Sequence, residues 1–187
     1  MPKSKQVIRL LEIARGIVVV TPDRVPAGLE QLSAMLAEVR DTMRADVAFV
    51  ARFDEGHRHF VAVSKAEGSL AGVEPGGADP LLDTYCRLVV ERRIPPVVRD
   101  TQGEPLTARL EVTKTLRISA YVGAPVYRAD GALFGTLCAI YHETQPGLGA
   151  EIGRALRHLA DQLGQSIGPD GTLDHVSWSE GGRRANA

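Results

Sequence analysis

Cysteine is scarce: Cys86 and Cys138 are the only two in 187 residues, and neither stands in a C-x-x-C pair. That excludes a disulfide framework and a zinc ribbon, and leaves reduced thiols in a cytosol as the default. A basic excess is also missing, with 22 Lys and Arg against 23 Asp and Glu. No basic excess is available to neutralise a phosphate backbone, so nucleic acid is not an expected partner. Long uncharged runs are absent as well. The N-terminal stretch MPKSKQVIRLLEIARGIVVV is interrupted by Lys5, Arg9, Glu12 and Arg15. The run Gly16–Thr21 is too short for a signal h-region or a membrane span, so a cytoplasmic location and no membrane partner are expected. No Walker A loop, G-x-S-x-G elbow, H-E-x-x-H helix or EF-hand loop occurs, and the chain is not expected to be an enzyme.

What remains is ordinary globular material, 44% apolar and 24% charged. A chain of this length buries a core without staples. Val7, Leu10, Leu11 and Ala14 recur at helical spacing. After Thr21-Pro22-Asp23, Pro26 opens a longer helix in which Leu29, Leu32, Leu36, Val39 and Met43 step by three and four. Ile152, Leu156, Leu159 and Leu163 repeat that seam in a helix starting near Gly149. The seams can cover a sheet or pair across a homodimer, through Leu29 and Leu36 on one helix and Leu156 and Leu163 on the other.

Between the seams lie strands. Asp46–Phe53 and His57–Ser64 form a hairpin around Asp54-Glu55-Gly56. A Gly-, Pro- and Ala-rich loop, Gly68–Asp79, is long enough to cover something. Pro80 leads into the helix LLDTYCRLVVERR, Val97-Val98 makes a short strand, and Pro105–Leu116 is weakly helical. Two further strands flank Asp130-Gly131. Tight turns between neighbouring strands exclude an all-parallel sheet and give an α+β fold. The seam helices should cover one face of an antiparallel sheet, the middle helices and loops the other. The expected divisions are 1–26 (helix and linker), 27–167 (domain) and 168–187 (flexible polar tail).

With Asp130-Gly131 as a two-residue loop, Tyr127 faces Phe134, Pro125 faces Thr136, Gly123 faces Cys138 and Tyr121 faces Ile140. These eight and His142 then share one face, while Ala120, Val122, Ala124, Val126, Gly135, Leu137, Ala139 and Tyr141 share the other. The first face carries a tyrosine hydroxyl, a threonine and a thiol, with space beside the thiol at Gly123. Such a mixture lines small-molecule pockets, and equally fits a core using Thr and Cys as small hydrophobes. His57 and His59 lie on one side of a strand at metal-binding spacing but lack a third ligand, so a solvated edge is expected. His158 reads as a surface residue. Neither cysteine has a base assignable by spacing, and buried inert thiols are expected.

The runs DTYCRLVVERRIPPVVRDT and LRISAYVGAPVYRADGALFGTLCAIYHE resemble bacterial GAF domains, over roughly Ala27–Ile167. The resemblance implies a GAF/PAS-like fold and a sensory, regulatory module that binds a small molecule between the sheet and its middle helices. Carried over by position, the pocket includes Tyr85, Cys86, Asp100, Thr101, Tyr121, Gly123, Thr136 and Cys138. It implies a small organic ligand of unknown identity and a signalling partner in trans, or signalling through dimerisation. The alternatives are a dimerisation module without ligand, or a thiol-based redox enzyme or sensor. The bilin-attachment pattern is missing, because Arg87 and not His follows Cys86, and for haem only His142 is placed as a ligand.

Overall fold

The structure is a computed structural model, and it describes residues 3–19, 28–69, 71–173 and 176–178. The expected break at Thr21-Pro22-Asp23, Pro26 and the chain beyond Trp178 lie outside the described residues. In chain order the elements begin α1 (Lys3–Arg15), β1 (Ile17–Val19), α2 (Gly28–Met43), β2 (Val47–Asp54), β3 (His57–Lys65) and β4 (Ala78–Pro80). They continue with α3 (Tyr85–Val90), β5 (Val97–Val98), α4 (Pro105–Ala108) and α5 (Glu111–Thr115). The last are β6 (Ala120–Tyr127), β7 (Leu133–Tyr141), α6 (Ala150–Gln165) and β8 (Val176–Trp178). Six strands form one antiparallel sheet in the order β4-β3-β2-β7-β6-β5.

The two sheet faces carry two separate apolar layers. Leu10, Leu32, Leu36, Val39, Leu156, Leu159 and Leu163 pack with Val122, Leu137 and Ala139 on one side. Phe49, Phe60, Tyr85, Leu88, Tyr121, Cys138 and Ile140 form the layer on the other. The helical seams are therefore used on the sheet: Leu36, Leu156 and Leu163 are fully buried within the single chain. Of the four leucines expected at a dimer contact, Leu29 alone is exposed, at 53%.

The hairpin register holds at Tyr121↔Ile140, Gly123↔Cys138 and Pro125↔Thr136. It departs at the tip, where Tyr127 pairs with Leu133 and Phe134 is skipped. The Gly131 N–H donates to Arg128 O at 2.9 Å, the Arg128 N–H donates to Ala132 O at 2.9 Å, and Gly131 has φ 82°. This is a three-residue loop ending in a left-handed glycine, not the two-residue Asp-Gly turn. The extra residue is absorbed as a bulge, which turns Phe134 onto the helix-covered face.

Two further expectations are corrected. The helix after Pro80 is broken: a 3-10 turn, Leu81–Asp83, precedes α3, and Thr84 caps α3 by accepting from the Arg87 N–H at 3.2 Å. The tail after 167 is not wholly free, because β8 pairs antiparallel with β1. Trp178 donates its indole N–H to Ile13 O at 3.1 Å and its backbone N–H to Gln31 Oε1 at 2.8 Å. Ending the chain at Leu173 is expected to cost about 2 kcal/mol, the burial of one large side chain. A urea titration of the truncated chain reads this as a lower midpoint.

Candidate functional site

β3 brings a cation into the apolar layer. Arg58 is in phase with the inward residue Phe60, and is only 2% exposed. A buried guanidinium needs its charge and donors satisfied. Asp79, its direct cross-strand partner on β4, supplies both carboxylate oxygens, with Nε–Oδ1 at 2.8 Å and a second contact from Nη2 to Oδ2. The guanidinium also lies over the rings of Phe60 and Phe49, at 4.6 and 5.5 Å from their centroids. Its remaining nitrogen, Nη1, points at Cys86 Sγ, 3.4 Å away.

Cys86 enters from the first turn of α3 and Cys138 from the middle of β7; their sulfurs are 3.7 Å apart. The Tyr121 hydroxyl lies 3.0 Å from Cys138 Sγ and 3.8 Å from Cys86 Sγ. Both cysteines are free and fully buried. Burial pushes the Cys86 thiol up, but the Cys138 thiol, the Arg58 charge and the Thr136 hydroxyl outweigh it and bring Cys86 down to about 5. Cys138 moves the other way, raised by burial and by its neighbour Cys86. Among the described residues the Thr136 hydroxyl makes no other hydrogen bond and is buried. The cluster thus pairs one readily ionised thiol with one that keeps its proton.

The other expected residues divide between this cluster and its supports. The Tyr85 ring lies 4.8 Å from that of Tyr121, and its hydroxyl meets Thr113 Oγ1 at 2.7 Å. Thr113 donates to Thr107 O, Thr107 to Thr101 O at 2.7 Å, and Thr101 to Ile118 O at 2.6 Å. This ladder ties α4 and α5 to the layer beneath them. Asp100 is exposed and accepts from the Gln102 N–H at 3.0 Å, a turn-forming role. The space expected at Gly123 is filled, since a Cβ there would sit 2.3 Å from the Tyr121 hydroxyl. His142 is fully engaged, with Nε2 at 2.9 Å from Ser69 Oγ and Nδ1 at 2.9 Å from Arg117 O. The His57 and His59 rings are 6.2 Å apart, and among the described residues no group of three metal-ligating side chains exists.

A second feature lies where β5 stops. Beyond the Gly123 N–H, which donates to Pro96 O at 2.9 Å, β6 has no strand partner on that side among the described residues. The open edge, the end of α3 and the first half of α6 enclose a cleft of about 530 Å3. Pro96, Gly123, Ala124 and Pro125 contribute to its lining, and Arg92, Arg154 and Arg157 supply its charge. Arg157 is spoken for: it binds Asp161 at 2.7 Å and lies 5.4 Å over the Tyr127 ring. Arg92 and Arg154 are exposed and have no acidic partner among the described residues.

The GAF domain family profile matches residues 28–167, from the start of α2 to just beyond α6. The chain belongs to the GAF family. Solved structures agree on the fold. A GAF sensor protein from Burkholderia vietnamiensis superposes with TM-score 0.65 at 18% identity, covering 88% of this chain and 95% of that one. The phycocyanobilin-bound GAF domain of a cyanobacterial phytochrome gives 0.64 at 18% identity, covering 94% and 98%. The GAF domain of an Acinetobacter phosphoenolpyruvate-protein phosphotransferase gives 0.58 at 18% identity, covering 87% and 91%. No curated protein sequence matches the chain.

Within this GAF domain the structure gathers Cys86, Tyr121, Thr136 and Cys138, and stacks Tyr85 against them. It separates Asp100, while Gly123 lies under Tyr121 and turns its backbone to the cleft. Sequence reasoning missed Arg58, Asp79 and the cleft arginines. One signal for Arg58 was present: in HRHFVAVSK the arginine falls in step with Phe60, on the side a buried strand keeps apolar.

Proposed function

We propose that this GAF domain is a sensory and regulatory module that binds a small organic anion in the cleft beside β6, and passes the signal to a partner in trans or through self-association. The observation that carries the reading is the cleft itself. It is about 530 Å3, within the range of small-molecule sites, and mixes an apolar floor with two guanidinium groups that have no acidic partner among the described residues. Pro125 favours a small ligand over an added strand, because at the open edge it offers no N–H to pair. A carboxylate or phosphate between Arg92 and Arg154 would receive charge-assisted hydrogen bonds, while a flat apolar body would lie on Pro96 and Pro125. Two solved GAF domains of the same fold are bound to bilins, which supports a small organic ligand without naming it.

The test is thermal stability of the full chain with 1-naphthoate or with neutral 1-naphthalenemethanol. Naphthoate at about a hundredfold excess over its Kd stabilises by ~2.7 kcal/mol, a rise in Tm of about 5–11 °C, and the neutral compound much less. Arg154→Gln and Arg92→Gln, both at exposed positions, should each reduce the naphthoate effect. Equal stabilisation by both compounds, or none by either, would sink this reading.

A further inference from the structure

We infer that Cys86 and Cys138 form a peroxide-reactive dithiol, a modification site that closes into a disulfide and moves α3. Four observations place it. The only two cysteines of the chain, 52 residues apart in sequence, meet at 3.7 Å. One of them faces Arg58, the one fully buried arginine among the described residues, at 3.4 Å, and a thiolate is the nucleophilic form of a thiol. The Thr136 hydroxyl is buried with no hydrogen-bond partner among the described residues, and it stands beside Cys86 as a donor that favours the thiolate. Finally, a polar path leads outward: Cys86 touches Arg58, and Arg58 holds Asp79, whose side chain is 27% exposed on the three-residue edge strand β4. Fraying of so short an edge admits a molecule as small as hydrogen peroxide.

The chemistry balances with peroxide as the oxidant. The Cys86 thiolate attacks one peroxide oxygen; an S–O bond forms, the O–O bond breaks, and the departing hydroxide takes a proton to become water. Sulfur has lost two electrons and peroxide has gained them, giving a sulfenic acid. The Cys138 sulfur then attacks Cys86 Sγ. The S–S bond forms, the S–O bond breaks, and the thiol proton of Cys138 leaves with the hydroxyl as a second water. Arg58 is a positioning residue here, holding the attacking thiolate.

Closure has a mechanical consequence. The sulfurs must approach from 3.7 Å to about 2.05 Å. Cys138 is fixed in β7 between β2 and β6, so Cys86 and the six-residue α3 make the movement. The far end of α3 carries Val89 and Val90, and these line the arginine cleft. Oxidation inside the domain thus alters the cleft wall.

The experiment is intact mass of the full-length chain after hydrogen peroxide, with alkylation in denaturant to count remaining thiols. The expected product has lost two hydrogens, carries no alkylable thiol and is restored by dithiothreitol. Cys138→Ser should stop at a sulfenic acid on Cys86 that dimedone traps, while Cys86→Ser should resist. Between pH 6 and 8 the sulfenate rate at Cys86 should stay nearly flat, where an ordinary thiol near 8.5 rises about a hundredfold. Two intact thiols after a dose that oxidises the denatured chain would overturn the proposal. So would equal oxidation of Cys86→Ser, or a product that gains oxygens without forming the disulfide. None of these readings uses a cleft ligand, so failure of the anion site leaves them unaffected.

Discussion

Arg58→Met is expected to destabilise the domain by about 3 kcal/mol, the lower end for breaking a buried ion pair from one side. The methionine refills much of the volume between Phe49 and Phe60, so the loss is chiefly electrostatic. Asp79 loses a two-point partner, and Cys86 loses the charge 3.4 Å from its sulfur. Asp79 is partly hydrated, with its side chain 27% exposed, which keeps the cost from the top of the range. For a chain of this size the change lowers Tm by about 6–12 °C. The double variant Arg58→Met/Asp79→Leu separates pair from packing. Removing both charges should recover most of the loss, because desolvating the pair offsets much of its attraction. If the double variant is as unstable as the sum of its singles, Arg58 acts through packing and not through its charge.

The second large effect is predicted at Gly164. A Cβ built there lies 1.9 Å from Tyr127 O and 2.9 Å from Tyr127 C, so helix α6 meets the end of β6 backbone to backbone. Alanine gains about 1 kcal/mol in helix propensity over glycine. Against that, neither a strand carbonyl nor a helix axis yields as a side-chain tip does, and the clash exceeds the usual 1–3 kcal/mol of overpacking. Gly164→Ala is therefore expected to lose about 2–3 kcal/mol net, read as a lower urea midpoint with unchanged slope. Gly153→Ala on the same helix is the control. Its Cβ would meet the Val97 Cγ2 atom at 2.8 Å, a side-chain atom that can shift, and Pro96 Cγ and Cβ at ordinary contact distances of 3.6 and 3.7 Å, so the propensity gain should leave stability within about 1 kcal/mol of the parent.

Much of the fold was legible because each strand pair is joined by a local turn. β2 and β3 follow from Glu55-Gly56, and β6 and β7 from a turn that was right in place and wrong in length. The error was confined to the tip, since alternation from Gly123 and Cys138 outward does not depend on how the loop closes. β8 was not legible: a three-residue strand in a polar segment gains its place from β1 and from Trp178 reaching Ile13, contacts about 160 residues apart in sequence. The site was half legible. Tyr121, Thr136 and Cys138 sort onto one face by period alone, but the meeting of Cys86 with Cys138 is set by how α3 lies over the sheet. Arg58 was hidden by chemistry, since a cation is ordinarily assigned to solvent and only Asp79 on a separate strand makes burial tolerable.

The most direct measurement of the anion-sensing account is an amide chemical-shift map of the full chain titrated with 1-naphthoate. The account predicts saturable shifts confined to the end of α3 near Arg92, to Gly123–Tyr127, and to the first half of α6 around Arg154. All should be weakened by Arg154→Gln. Shifts centred on the β3–β4 side, or a spectrum unchanged at millimolar naphthoate, would contradict it.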